Sequence, residues 1–194
     1  MQAKGFDVAK KNLGSEGELF PQSVFIIATY DENGVPNAMN AAWAGECTRK
    51  EICFNIGDHK TTENIVKKGA FTVAPANKGN VVSADYFGIE SGSKVNKAEK
   101  SGLTFVKSEF VDAPVIEEYP LTMECEVTEI QGDEHGARIV GKVINVVVDE
   151  EILDEDGKVD FGKFQPLVYD ASHMTYRMVG EEVGRAWNTG KVLM

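Results

Sequence analysis

Four residues of mixed chemistry stand together in the stretch GDHKTTENIVKKG (57–69): His59, Lys60, Thr61 and Thr62. An imidazole, an ammonium and two hydroxyls in a row can all donate hydrogen bonds. The run TTENIVKKG (61–69) reads as a short helix. Thr61 or Thr62 fits the N-cap, Glu63 lies in the first turn, Lys67 and Lys68 lie in the last, and Gly69 stops it. A helix N-terminus offers free backbone N–H groups and the positive end of the dipole, so it binds phosphate readily. Without a ligand, the same residues read as a capped helix with surface charges. A second stretch, NAMNAAWAGEC (37–47), mixes small residues with Asn37, Met39, Asn40 and Trp43. Small side chains let a flat ligand approach the backbone, and the Asn40 side chain could bond a heterocycle rim. A tightly packed strand crossing accounts for the same composition.

Other chemistry is missing from the pattern. There is no GxGxxG or GxSxG, and Gly190-Lys191 is followed by Val192, so it is not a P-loop. His59, His135 and His173 lack HExxH spacing, and Asp154, Asp156 and Asp160 lack EF-hand spacing and read as a solvated loop. The three cysteines, Cys47, Cys53 and Cys125, form no CxxC pair, which argues against a disulfide framework or a zinc ribbon. They read as free thiols of a reducing cytoplasm, and Cys47 as a small buried apolar residue.

The elements that must carry these residues are mostly strands. VFIIATY (24–30) is β-branched and aromatic, DENG (31–34) is a turn signal, and VPNAMNAAW (35–43) runs back as a hairpin partner. In EICFNIG (51–57), Ile52, Phe54 and Ile56 share one face. AFTVAPAN (70–77) is a strand; residues 80–102 read as short helices and loops, with a stop at Gly102. LTFVKSEF, LTMECEVTEIQGD and ARIVGKVINVVVDE are strands, the last two joined as a second hairpin around QGDEHG (131–136). The tail, YDASHMTYRMVGEEVGRAW (169–187), shows little regular pattern and is expected to pack over the body. Strands dominate both halves and βαβ alternation is missing. This predicts a β-rich α+β domain over residues 1–194, an antiparallel barrel with a few short helices.

With 194 residues and 42% hydrophobic content, the chain can bury a substantial core. A formal net charge of −11 argues against general affinity for nucleic acid or anionic membrane. MQAKGFDVAKKN contains no signal-like apolar run, and no apolar segment is long enough to span a bilayer. A cytoplasmic protein is the expectation.

In order and spacing, the strand from Pro21 to Tyr30, then DENGVPNAMNAAW, then GDHKTTENIVKKGAFTV, then QPLVYDASHMTYRMVGEEVGRAWNTGK, resembles the flavin reductase-like, FMN-binding split-barrel family that includes flavoredoxin. The resemblance covers most of the chain. It implies a Greek-key split barrel and a homodimer with FMN near the subunit interface. It implies that His59, Lys60, Thr61 and Thr62 clamp the FMN phosphate. Asn40, Ala41, Ala42 and Trp43 would lie along the isoalloxazine, and Tyr169 and His173 would approach it from the C-terminal segment. Asp85, Tyr86 and Lys94 are further rim candidates. Many relatives carry an Arg in the phosphate loop where this chain has His59 and Lys60, and Lys cannot grip phosphate bidentately. The activity implied is an NAD(P)H-dependent flavin reductase: NADH or NADPH would donate a hydride to flavin N5, and electrons would pass on to free flavin, with FAD or riboflavin as further flavin substrates, or to another acceptor. The alternative is a flavoredoxin-type carrier that holds FMN tightly and exchanges electrons with a redox protein partner. No metal site is expected.

Overall fold

The run VFIIATY is apolar throughout because its strand is covered on both faces. Phe25 and Ile27 point into one core, and Val24, Ile26 and Ala28 into a second. The structure, a computed structural model, describes residues 9–15, 17 and 21–194; the N-terminal stretch MQAKGFDV lies outside them. In chain order the strands of the first half are β1 (Gln22–Ser23), β2 (Phe25–Tyr30), β3 (Pro36–Ala41), β4 (Ala44–Thr48) and β5 (Glu51–Ile56). Helix α1 (Lys60–Lys68) and β6 (Ala70–Pro75) follow, then α2 (Val81–Ile89) and α3 (Lys97–Ser101). The second half contains β7 (Phe105–Lys107), β8 (Pro114–Ile116), β9 (Leu121–Asp133), β10 (Gly136–Val148), α4 (Phe161–Phe164), β11 (Leu167–Asp170) and β12 (Thr175–Met178).

Seven strands form one antiparallel sheet in the order β3-β2-β6-β9-β10-β5-β4. Its two edge strands, β3 and β4, are consecutive in sequence and joined only by Ala42 and Trp43. A sheet whose opposite edges are tied by so short a link must curl until they meet, so the strands wrap as a barrel that stays open along the β3–β4 seam. The inside is filled by Phe25, Ile27, Ile52, Phe54, Ile65, Phe71, Val73 and Ile139, with Phe54 and Phe71 packed edge to face at 5.1 Å. Gly141 sits against that ring. A Cβ there would lie 2.3 Å from Phe71 Cζ, so only glycine fits. The second core lies outside the barrel, where α2 and β8 cover Ile26, Ala28 and Ala74 through Phe87 and Ile116.

The DENG turn forms as expected. Asp31 Oδ1 accepts the N–H groups of Asn33 and Val35, and Gly34 takes φ 77°. The β9–β10 hairpin also forms, and Ile52, Phe54 and Ile56 share the buried face. Four expectations need correction. The strand read through Trp43 stops at Ala41, and a separate strand, β4, follows. Only Phe105–Lys107 of LTFVKSEF is strand, paired with the short β8. The tail carries a regular hairpin, β11–β12, turned at Met174 (φ 51°) and docked on β1. Beyond it, Val183, Trp187, Val192 and Leu193 are exposed rather than packed on the body. Asp154, from the acidic stretch, accepts the N–H groups of Asp156 and Lys158 and so stabilises a turn. No helix among the described residues is long and apolar enough to cross a membrane.

Candidate functional site

Helix α1 starts at Lys60, one residue before the expected capping threonines. His59 occupies the N-cap position in extended conformation and makes no side-chain capping bond. The N–H groups of Thr62 and Glu63 donate to His59 O, and those of Lys60 and Thr61 are left without a side-chain cap. Both threonines are buried in the first turn. Thr62 Oγ1 donates to Gly57 O at 2.5 Å and holds the β5–α1 loop. Thr61 Oγ1 accepts from Asn37 Nδ2 at 2.8 Å, which leaves its own proton free to donate. Lys60 Nζ is 3.2 Å from Glu63, which also takes Lys67 at 2.9 Å; Lys67 first and Lys60 second hold that carboxyl below its usual range.

A hollow of about 240 Å³ opens at this helix end. Asn37, Asn40, His59, Lys60, Thr61 and Lys97 supply its polar lining, with Glu90, Ser91 and Gly92 on the α2–α3 side. Lys97 is the residue the sequence hid. It is 3% exposed, and its Nζ donates to Phe87 O at 3.0 Å, capping the end of α2. No carboxylate among the described residues pairs with it within 4.0 Å; Glu90 acts on it only through space. Burial pushes its pKa down to about 8, against the opposing field of Glu90. A buried ammonium with one hydrogen bond and no counterion, beside an open helix N-terminus, fits a bound anion.

Two close approaches shape this hollow. A Cβ on Gly92 would lie 2.2 Å from Asn37 Oδ1, so Gly92 lets the loop press against the side chain that holds Thr61. Gly88 faces Asn40, where a Cβ would sit 3.4 Å from Asn40 Cβ. Asn40 Nδ2 donates to Ala84 O at 3.0 Å, fixing its amide between β3 and α2.

Asn40, Gly88 and Ile89 also line a second hollow of about 410 Å³, so the two form one trough. Ser23, Ala42, Asp85, Tyr169, Met174 and Tyr176 complete its walls. Tyr176 O–H donates to Asp85 Oδ1 at 2.9 Å. Burial, then that bond, push its pKa up to about 12, so it stays a protonated donor at neutral pH. The trough thus has an anion-receptive end and an aromatic, apolar-polar end of the size of a flat heterocycle with a charged tail.

Of the residues singled out in the sequence, Asn40, Ala42, His59, Lys60, Thr61 and Tyr169 line this trough, and so does Asp85. Ala41 is buried in the barrel core, and Thr62 lies beneath the helix turn. Trp43 is half exposed over a different hollow, with Gln22, Cys53 and Arg138. His173 is exposed and bonded to Asp170, whose carboxyl Arg177 first, then His173, holds below its usual range; Met174 and Tyr176 of the same hairpin reach the trough instead. Tyr86 faces the opposite side of α2. Cys47 is exposed and Cys53 half-buried, so neither is the enclosed apolar residue the sequence suggested; Cys125 is. Gly88, Gly92, Lys97 and Tyr176 were not singled out, and Asn37 was named only as part of its stretch. The one signal for Lys97 is its place directly after Asn96, which caps α3 through a bond from Glu99 N at 3.1 Å.

Flavoredoxin of Desulfovibrio vulgaris (Miyazaki F) superposes on this chain with a TM-score of 0.88 at 35% identity, over 94% of this chain and 100% of that one. Flavoredoxin from Methanosarcina acetivorans gives 0.85 at 29%, over 95% and 100%. An FMN-binding protein from Thermus thermophilus, at 20% identity and a TM-score of 0.75 over 95% and 99%, shares the fold. The split barrel read from the strand order is the barrel of these proteins. The family model described as flavin reductase like domain matches residues 17–176, and the chain belongs to that family.

Proposed function

We propose that the trough holds FMN and that the protein is a flavoredoxin-type electron carrier. The observation that carries this reading is the unpaired, buried ammonium of Lys97 at one end of a trough whose other end is lined by Tyr169 and Tyr176. Likeness to two flavoredoxins over nearly the whole chain supports the carrier role. When bound, FMN supplies the electron-transfer chemistry. This chain's residues bind and orient it. Lys97, Lys60, His59, Thr61 and the first N–H groups of α1 receive the phosphate as charge-assisted donors. Asn40 and Ala42 set the depth of the ring against β3, Tyr169 gives it an aromatic wall, and the Tyr176–Asp85 pair fixes a polar edge. The net charge of −11 suits docking to a basic redox protein.

NAD(P)H-dependent flavin reduction is the second reading, and the family description favours it. Anaerobic addition of NADH or NADPH to FMN-loaded protein separates the two. Slow bleaching with rapid electron exchange to a redox protein supports the carrier. Steady NAD(P)H consumption with added free flavin would replace it with the reductase.

We also propose a homodimer. An apolar groove of about 430 Å³, with Val146, Phe161 and Val179 at its rim, and the exposed Val183, Trp187 and Leu193 of the tail support it. Sedimentation at micromolar protein tests this; a monomer would overturn it.

A further inference from the structure

The face of α2 turned away from the trough borders a hollow of about 370 Å³. Asn80, Val82, Ser83 and Tyr86 line it from α2, and Lys100 and Ser101 from the end of α3. Three buried side-chain polar atoms among the described residues have no hydrogen-bond partner, and two of them, Asn80 Nδ2 and Tyr86 Oη, belong to residues of this wall. Such atoms are rare in folded proteins, so two at one hollow call for a partner. Asn80 is 8% exposed, and its Oδ1 accepts the Asn77 N–H at 2.8 Å, which fixes the amide and commits Nδ2 to donate elsewhere. The neighbouring hydroxyls are already in use. Ser83 Oγ donates to Asn80 O at 2.9 Å and lies 3.0 Å from Tyr119 Oη; Ser101 Oγ donates to Ala98 O at 2.8 Å and accepts the Leu103 N–H. Lys100 is exposed and pairs with no carboxylate among the described residues within 4.0 Å. Helix α2 is nine residues long and Asn80, at its N-cap position, makes no side-chain capping bond, so the positive end of the helix dipole lies at the same place.

We propose that this hollow is a second ligand site and takes a small organic carboxylate with an apolar flank. The carboxylate supplies the acceptors that Asn80 Nδ2 and the Tyr86 hydroxyl lack, and the Lys100 ammonium neutralises its charge. The exposed Val82 side chain meets the apolar flank. Both donor atoms are shielded from water in the free protein, so the ligand enters with a rotation of the surrounding side chains, which the long, exposed stem of Lys100 is free to make. The site lies across α2 from the trough and does not rest on the flavin reading.

The test is titration of isotope-labelled protein with sodium benzoate at constant ionic strength, followed through the backbone amide resonances. Saturable shifts are expected at Asn80, Ser83, Tyr86 and Ser101 and not at Asn40 or Thr61 of the trough. Benzamide, of the same shape without the charge, is expected to bind about tenfold more weakly. Tyr86→Phe removes only the hydroxyl and Lys100→Gln only the charge, and each is expected to weaken benzoate about fivefold or more. Asn80→Asp keeps the acceptor for Asn77 N–H, replaces the free donor by an oxygen and is expected to abolish binding. Because the Tyr86 hydroxyl has no partner in the free protein, ligand-free Tyr86→Phe is expected to unfold at no lower urea concentration than the wild type. No saturable shift up to about 10 mM benzoate, shifts confined to the trough, unchanged affinity in both Tyr86→Phe and Lys100→Gln, or a lower urea midpoint for Tyr86→Phe would each overturn the proposal.

Discussion

Replacing Lys97 by methionine keeps most of the side-chain volume and removes the charge. In the ligand-free protein its pKa lies near 8, against an ordinary 10.5, because burial disfavours the ammonium. Between those values the unfolded chain holds a proton that the folded chain has lost, so stability rises as pH climbs from about 8 to about 10.5. Below pH 8 the folded protein carries the full penalty, on the order of 3 kcal/mol at ~1.36 kcal/mol per unit. Methionine removes it and gives up the bond to Phe87 O, worth about 1 kcal/mol. The ligand-free Lys97→Met protein is therefore expected to be more stable at pH 7 by about 1–3 kcal/mol, read from urea melts. FMN binding moves the other way. Loss of a charge-assisted phosphate contact is expected to raise Kd about 10- to 100-fold by fluorescence titration. Burial holds the Lys97 pKa near 8 in the ligand-free protein; a bound phosphate is expected to raise it, so wild-type affinity is expected to be full below pH 8 and to fall as pH rises through and above it. Riboflavin, which has no phosphate, shows neither effect. Unchanged FMN affinity in folded Lys97→Met, or equal losses for FMN and riboflavin, would refute the assignment.

Thr61 and Thr62 are neighbours with different roles. Thr61→Val strands the Asn37 amide and Thr62→Val loses the bond to Gly57 O, so each is expected to destabilise by about 1–2 kcal/mol, but only Thr61→Val weakens FMN binding, about tenfold; parallel titrations and urea melts check both. Gly92→Ala drives a Cβ into Asn37 and displaces its bond to Thr61, so FMN affinity falls though residue 92 donates no side chain; isothermal titration reads it. Gly141→Ala pushes on the Phe71 ring and is expected to cost about 1–3 kcal/mol in a urea melt without changing FMN affinity relative to folded protein.

The strands that carry continuous or alternating apolar residues, β2, β5, β9 and β10, were legible from the sequence, as were the DENG turn and the Gly69 stop (φ 67°). Strand β4 was not. AGECT has neither apolar run nor alternation, and no turn residue separates it from β3; it is strand because β5 pairs with it. The β11–β12 hairpin escaped because its turn uses Met174 in the left-handed region instead of glycine. Half of the site was legible because a helix start advertises itself locally. Lys97 was not, because KVNKAEKSG has the composition of an exposed helix and its burial depends on α2 lying over it. Tyr176 and Met174 reach the trough through the fold of the tail hairpin, which spacing alone does not encode.

The most direct test is the visible absorption spectrum of the purified protein after loading with FMN and exhaustive desalting, beside the same experiment with riboflavin. The expected result is a perturbed flavin spectrum at one FMN per chain that survives desalting, with riboflavin washed out. A colourless protein, or equal retention of both flavins, would contradict a phosphate-anchored flavin in this trough.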